Sequence, residues 1–354
     1  MIIKKIKNAI TNRWKKLYQF IIFYPEKKRE LERKLEEDKD VIWFIGSAHY
    51  DNIGDQAISY ATIKFLNNYF PNYTLIEIRL CDYYKYLKAI KKLAKKDDII
   101  VMQGGGNMGF YYFDAEVNRR NVIKSFPDNQ IIIFPSTIDY GTSPRALHEL
   151  NNSIKIYNKH KKLTICAREE KSYYTMKELY KNNNIILVPD IVLWLNIPEF
   201  SLKREKVGLC LRRDIEKTNL SNEIFNKFKN ESRFVITDNV STEKNITSDM
   251  REKIFIDKLK EFSSYEVVIT DRLHTMIFCE ITETPCLFLD NSNGKVNGVY
   301  SLWISQKCDY IEKIDSNIKQ IEQQIDSITK LKNKQKIIYE NQFKILVENI
   351  KAGR

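Results

Sequence analysis

The six cysteines of this chain, Cys81, Cys166, Cys210, Cys279, Cys286 and Cys308, never form a C-x-x-C pair. That excludes a dithiol redox motif and a cysteine zinc site. Most of them stand inside apolar runs, where a thiol behaves as a small hydrophobe, and the pattern implies a reducing, cytoplasmic compartment. The four histidines lack metal-ligand spacing, so no metal is expected. The dinucleotide fingerprint G-x-G-x-x-G is absent, and no apolar run is long enough to span a bilayer. The net charge of +12 comes without an arginine–aromatic cluster or a nucleic-acid motif. A small anionic substrate or an anionic membrane surface accounts for the sign equally well, and no nucleic-acid partner is expected.

What the chain does contain is a repeating unit: apolar run, polar or glycine turn, helical segment. Its 354 residues suffice for two domains with real cores. Strands are predicted at 41–45, 73–78, 99–103, 131–134, 163–167 and 185–188, and a second series at 207–211, 234–237, 267–271 and 286–290. This α/β pattern predicts two Rossmann-like, doubly wound domains, each a mostly parallel sheet covered on both faces, meeting at a cleft. The expected divisions are 1–40, a basic amphipathic helix and charged connector; 41–198, the first domain; 199–310, the second; and 311–354, a long amphipathic helix.

The two ends carry amphipathic patterns. Ile3, Ile6, Ile10, Trp14, Leu17 and Ile21 make one apolar face amid Lys4, Lys5, Lys7, Arg13, Lys15 and Lys16. Such a helix fits an interfacial membrane anchor, or packing on its own protein. Ile311, Ile314, Ile318, Ile321, Ile325 and Ile328 repeat at steps of three and four, which predicts a long helix that packs across the domains or pairs with a second subunit.

The chemistry concentrates where strands hand over to helices. Val267–Asp271 reads as a buried strand and Thr275–Ile281 as a helix, so Asp271, Arg272 and His274 fall on the turn between them. In an open α/β sheet such turns form the ligand crevice. An acid, a guanidinium and an imidazole there suit anion binding and proton transfer; equally, Asp271 suits a helix cap and Arg272 a surface ion pair. After the first strand, His49, Asn52, Gly54 and Asp55 form a polar turn, with Asp55 well placed to cap the next helix. Gly104, Gly105 and Gly106, followed by Asn107, let backbone approach a ligand closely. Asp190, after Pro189, reads as a turn holder, and His148 and His160 are expected at the surface.

Six segments then appear in one order: His49–Ile58, Gly104–Asn107, Ala167–Glu169 with Ser172, Pro189–Asp190, Leu211–Arg212 and Asp271–His274. Together they resemble the bacterial polysaccharide pyruvyl transferase family, from about Val41 to about Asp290. The first segment has less glycine than the commonest family form. The resemblance implies a GT-B-like fold and transfer of pyruvate from phosphoenolpyruvate, as co-substrate and without a cofactor, to two hydroxyls of a sugar. It implies donor binding by Arg272 with Leu273 and Asp271 beside it, and by Arg212, with Arg213 as its rival on the opposite side of the segment. His274 becomes the expected proton donor, and Asp55 either the base or, with Asn52, a binder of the acceptor's hydroxyls. His49, Asn52, Gly54, Gly104 to Gly106 and Asn107 fall on the acceptor side. The acceptor implied is a lipid-linked or polymeric saccharide of capsule or exopolysaccharide at the inner membrane face. Two other classes fit the same fold: a glycosyltransferase using a nucleotide sugar, and a non-catalytic, membrane-associated assembly protein.

Overall fold

The computed structural model describes residues 14–15, 17–213, 217–291, 294–314, 320–331 and 337–353. Seven strands build the first sheet: β1 (Val41–Ser47), β2 (Thr74–Arg79), β3 (Ile99–Met102), β4 (Gly105–Gly109), β5 (Gln130–Asp139), β6 (Leu163–Ala167) and β7 (Asn184–Leu187). Their order is β2-β1-β3-β5-β6-β7 with β4 on the far half of β5, and every pairing is parallel. The second sheet, β12-β11-β10-β8-β9, is also parallel throughout. It contains β8 (Val207–Cys210), β9 (Phe234–Ile236), β10 (Val267–Thr270), β11 (Cys286–Phe288) and β12 (Ile311–Lys313). The near-continuous β-branched runs explain this, because a strand covered by helices on both faces needs apolar residues on both.

Helices return the chain between strands: α1 (Tyr24–Glu32), α2 (Ile53–Tyr69), α3 (Tyr83–Leu93), α4 (Phe113–Ser125), α5 (Pro144–Lys159) and α6 (Glu170–Leu179) around the first sheet. Around the second lie α7 (Asn219–Phe228), α8 (Ser248–Ser263), α9 (Leu273–Ile281), α10 (Lys295–Val299) and α11 (Ile321–Ile328), whereas α12 (Lys344–Lys351) returns to the first half, its Asn349 meeting Gln130 and Asn184. The strand order reverses between β1 and β3 in one sheet and between β8 and β10 in the other. These two switch points are where open α/β sheets form a crevice.

The halves share one core. A single apolar cluster runs from Phe44, Ile53 and Phe65 through Phe255 and Phe278 to Phe343 and Ile350. Arg251 of α8 reaches into the first half, 2.7 Å from Glu77, donating to Gln56 Oε1 at 2.9 Å and to the Ala48 carbonyl at 3.2 Å. Main chain crosses as well: Ile53 N–H donates to Asn239 O, Ser241 N–H to Asp51 O and Ile246 N–H to His49 O.

Three expectations change. The isoleucine repeat of 311–328 is not one helix. Ile311 lies in β12, which adds an edge strand to the second sheet, and only Ile321–Ile328 is helical, with 315–319 outside the described residues. The periodicity misled because Ile314, Ile321, Ile325 and Ile328 are buried on the same outer face of that sheet, with Val207, Leu209 and Val267. Those isoleucines therefore serve the chain's own core rather than a second subunit. The segment that crosses the domains is later: Phe343 packs 5.9 Å from Phe65, and Gln130 Nε2 donates to the Asn349 carbonyl at 2.7 Å. Second, Gly104–Gly106 is more than a ligand loop, since it leads into β4. A Cβ on Gly104 would lie 2.4 Å from Pro135 O, and one on Gly109 only 1.9 Å from Asp139 O, so close approach to β5 is what demands those two glycines. Third, His160 is buried, its Nε2 2.9 Å from the Phe126 carbonyl oxygen.

Lys4, Lys5, Lys7, Arg13, Lys16, Ile3, Ile6 and Ile10 of the expected anchor lie outside the described residues. Residues 17–22 are helical and lead towards α1. No described helix is long and apolar enough to cross a membrane.

Arg251→Met is expected to destabilise the protein by about 3–5 kcal/mol, the usual effect of stripping one partner from a buried ion pair. A thermal midpoint equal to wild type would show that the apolar cluster alone holds the halves together.

Candidate active site

Both switch points open onto one pocket of about 580 Å³ empty volume. The β1 side contributes Tyr50, Asn52 and Asp55, and the β3–β4 side Gly106, Asn107 and Tyr112. From the second half come Arg212 after β8, Asn239 after β9, Arg272, Leu273 and His274 after β10, and Lys295 at the start of α10. Arg168, just past β6, completes the wall. Four cationic side chains thus line a space with one lining carboxylate, Asp55; even with Asp190 and Asp238 paired to Arg168 and Arg272 from behind, the wall is left net positive. That imbalance suits a small polyanion, and arginine suits carboxylate and phosphate because its planar fork binds either with two bonds.

His274 sits where the halves touch. Its Nε2 lies 3.6 Å from Asp190 Oδ2 and is buried without a hydrogen-bond partner among the described residues. Its Nδ1 faces Gly54 so closely that a Cβ there would lie 2.4 Å away. Asp190 is no mere turn holder. Oδ1 accepts from Val192 N–H at 3.0 Å and caps the following turn, while Oδ2 accepts from Arg168 Nη1 at 2.7 Å and faces His274. Burial alone would raise the Asp190 carboxyl; the His274 imidazole and the Arg168 guanidinium outweigh it and hold it well below the usual carboxylate range.

Asp55 proves not to be the cap of α2. Asn52 fills that place, its Oδ1 accepting from Gly54 N–H at 2.9 Å and Asp55 N–H at 3.3 Å. The Asp55 carboxylate is left to the pocket. Burial pushes its pKa up, against the pull of His274, Tyr50, Arg168 and Lys295. Arg272 Nη2 is held 2.9 Å from Asp238 Oδ1, while its Nε is buried without a partner among the described residues.

Several expected residues lie elsewhere. Asp271 is buried under the site, with Oδ1 accepting from Arg212 N–H at 2.8 Å and Oδ2 from Ser221 Oγ at 2.7 Å. It shapes the β8 turn, and both its oxygens are engaged in doing so. Arg213 points to solvent over the Phe225 ring, which decides between the two neighbouring arginines for the pocket. His49 is outside the pocket lining; burial, with Arg79 nearby, lowers its pKa. Gly54 is covered by His274, and Gly104 and Gly105 lie behind Gly106. Tyr50, Tyr112, Arg168, Asp190, Asn239 and Lys295 are the residues that sequence reasoning had not counted in the site. Arg168 and Asp190 did stand in recurring strand-end motifs, which was the available signal.

The sequence model of the polysaccharide pyruvyl transferase family matches residues 52–293. The chain belongs to that family. It is accordingly an enzyme of the pyruvyl transferase class. Among similar proteins, General stress protein 30 of Bacillus subtilis is 36% identical over 296 residues, 82% of this chain and 86% of that protein. A second Bacillus subtilis protein, provisionally named a pyruvyl transferase, is 34% identical over 259 residues, 72% of each chain. The crystal structure of an uncharacterized Klebsiella pneumoniae protein superposes with a TM-score of 0.55 at 20% identity, covering 83% of this chain and 99% of the other, so it shares the fold.

Gly54→Ala is expected to lower kcat by about 10²-fold, because the added methyl must push the His274 ring out of place and misplacement of about 1 Å has that effect. Steady-state kinetics on a folded variant checks this; wild-type kcat would mean that the ring can retreat without consequence.

Proposed function

We propose that this enzyme transfers pyruvate from phosphoenolpyruvate to two hydroxyls of one sugar, forming a cyclic ketal. The observation that carries the reading is the meeting of Arg168, Arg212, Arg272 and Lys295 with His274 in one small pocket. Phosphoenolpyruvate brings a carboxylate and a phosphate on a three-carbon frame, two anionic groups that several converging cations can share.

The scheme assigns a proton donor, a base and a set of cations. His274 protonates the methylene carbon, making the adjacent carbon oxocarbenium-like. One sugar hydroxyl attacks that carbon and its proton passes to Asp55, whose burial-raised carboxyl is the better base for it. The C–O bond to phosphate breaks, with the arginines and Lys295 neutralising the departing oxygens. The second hydroxyl closes the ring. Of the two hydroxyl protons, one makes good the proton given to the methyl group and the other leaves with phosphate. Asp190 orients the imidazole by the contact already described, of a kind that shortens as a substrate fills a site.

The acceptor we propose is a lipid-linked saccharide of an exopolysaccharide or capsule. Support comes from Trp14, Leu17, Tyr18, Ile21 and Ile22, which are exposed together at the start of the chain. Close by, Lys88 of α3 covers the Phe20 and Tyr24 rings, and the same helix carries Lys85, Lys91 and Lys92. Aromatic and aliphatic side chains beside lysines suit the interface of an anionic membrane, at about 1 kcal/mol per lysine near the surface.

The deciding experiment incubates the protein with phosphoenolpyruvate or nucleotide sugars and a panel of glycosides, and measures phosphate release. Binding of a nucleotide sugar without any binding of phosphoenolpyruvate would replace the reading with a glycosyltransferase. His274→Ala is expected to lose about 10²–10⁴ in rate with the fold intact. Arg272→Lys keeps the charge but loses the planar fork, and a higher donor KM is expected. Replacing Leu17, Ile21 and Ile22 together by serine is expected to weaken sedimentation with phosphatidylglycerol vesicles and leave turnover of a soluble glycoside unchanged. Equal sedimentation of the triple variant would remove the membrane role of this segment.

A further inference from the structure

A second, larger cavity adjoins the pocket and is used by nothing so far described. It has about 1540 Å³ of empty volume and lies between the halves. One wall is the carboxyl end of β5, Thr137 to Gly141, with the first turns of α6. The other is α10 and the turn after it, Lys295 to Gln306. Lys295 lines both spaces, so the groove begins where the cationic pocket ends. Its floor closes where Gly298 meets Glu169, close enough that a Cβ on Gly298 would lie 3.3 Å from the Glu169 side chain.

The chemistry of the two spaces differs. Four cations and one carboxylate line the pocket, whereas the groove has Asp139, Glu169 and Glu170 against Lys171 and Lys295. An anion has no reason to prefer the groove. Asn297, Gln306 and Ser301 add neutral hydrogen-bonding groups, and Leu150, Leu179 and Leu302 add apolar surface. Scattered polar groups over aliphatic patches suit a neutral polyol chain with alternating hydroxyl and C–H faces. Glu169 is tied down at the junction. Its Oε2 accepts from Thr137 Oγ1 at 2.9 Å and its Oε1 from Ser172 Oγ, while Thr137 Oγ1 accepts from Arg168 Nε at 2.8 Å. The groove floor and the pocket wall are therefore one hydrogen-bonded unit.

We propose that this groove is the acceptor subsite and takes a neutral oligosaccharide longer than one ring, with the sugar to be modified at the Lys295 end. This deepens the pyruvyl-transfer reading and rests on it for the word acceptor, but the prediction of glycan binding stands separately. On this division the donor alone has to sit among the cations, and the acceptor needs to present only its two hydroxyls there.

Thr175→Trp and Ser301→Trp test the proposal, each adding an indole to one wall without touching the pocket. The probes are p-nitrophenyl mono- and disaccharides of glucose, galactose, mannose and N-acetylglucosamine, titrated calorimetrically into the full chain alongside phosphoenolpyruvate. At least one disaccharide is expected to bind the wild-type protein more tightly than its monosaccharide. Both variants are expected to weaken it by about tenfold or more through the steric clash, with phosphoenolpyruvate affinity and thermal midpoint unchanged. Glycoside binding that survives both substitutions, or no glycoside binding by the wild-type chain, overturns the groove assignment. Glycoside binding lost in the variants, together with no binding of phosphoenolpyruvate by the wild type, leaves the groove standing and overturns the donor instead.

Discussion

The pocket exists only while the second half of the chain is held against the first, and a buried guanidinium fixes the register of that contact within the shared apolar core. Arg251 leaves its own helix, α8, to meet Glu77, Gln56 and the Ala48 carbonyl, all of the first half. A charge this deep is tolerable only when its donors are satisfied, so its geometry admits few alternative placements of the halves. The loop leading into α8 adds backbone bonds to Asp51 and His49, beside the polar turn that supplies Asn52 and Asp55. Register between the halves and shape of the pocket are thereby set by the same contacts.

That arrangement assigns a different kind of work to each strand-end motif. The turn after β10 carries Arg272 and His274 into the pocket, but Asp271 in the same run stays below to hold the Arg212 backbone and Ser221. On the β1 turn, Asn52 caps the helix and so releases Asp55 to face the ligand space. Adjacent residues thus divide between shaping the site and lining it. Sequence spacing cannot separate those tasks, because a carboxylate near a helix start fits either one.

Much of the fold was legible because both sheets are parallel and fully covered. A strand buried on two faces reads as an unbroken apolar run, and ten runs found this way coincide with strands, nine to within two residues at their ends, while β5 runs five residues further, through the expected turn at Pro135–Thr137 to Asp139. What escaped were β4, too rich in glycine to look like a strand, and β12, whose isoleucine continues a helical period by coincidence of burial. The cationic side of the pocket was half legible: Arg212, Arg272 and His274 stood at strand ends in order. Arg168, Asp190 and Lys295 required three dimensions, since they come together from β6, β7 and the start of α10, far apart in sequence. Arg213 and Arg212 could not be separated by pattern alone; the Phe225 ring that draws Arg213 away lies on the next helix.

The position of His274 shows why neither half suffices. The imidazole belongs to α9 of the second half, yet both groups that fix its ring, Gly54 on one side and Asp190 on the other, belong to the first. Asp190 in turn is ionised because His274 and Arg168 share it, one from each half. A side chain at residue 54 would occupy the place of the ring, so a glycine in the first turn of α2, ordinarily unfavourable in a helix, is required by a residue 220 positions later. The glycine weakens α2 locally, and Asn52 offsets this by capping the same turn. The helix start, the cap and the imidazole are therefore one device, divided between two sheets and assembled only when the cleft between them is correctly formed.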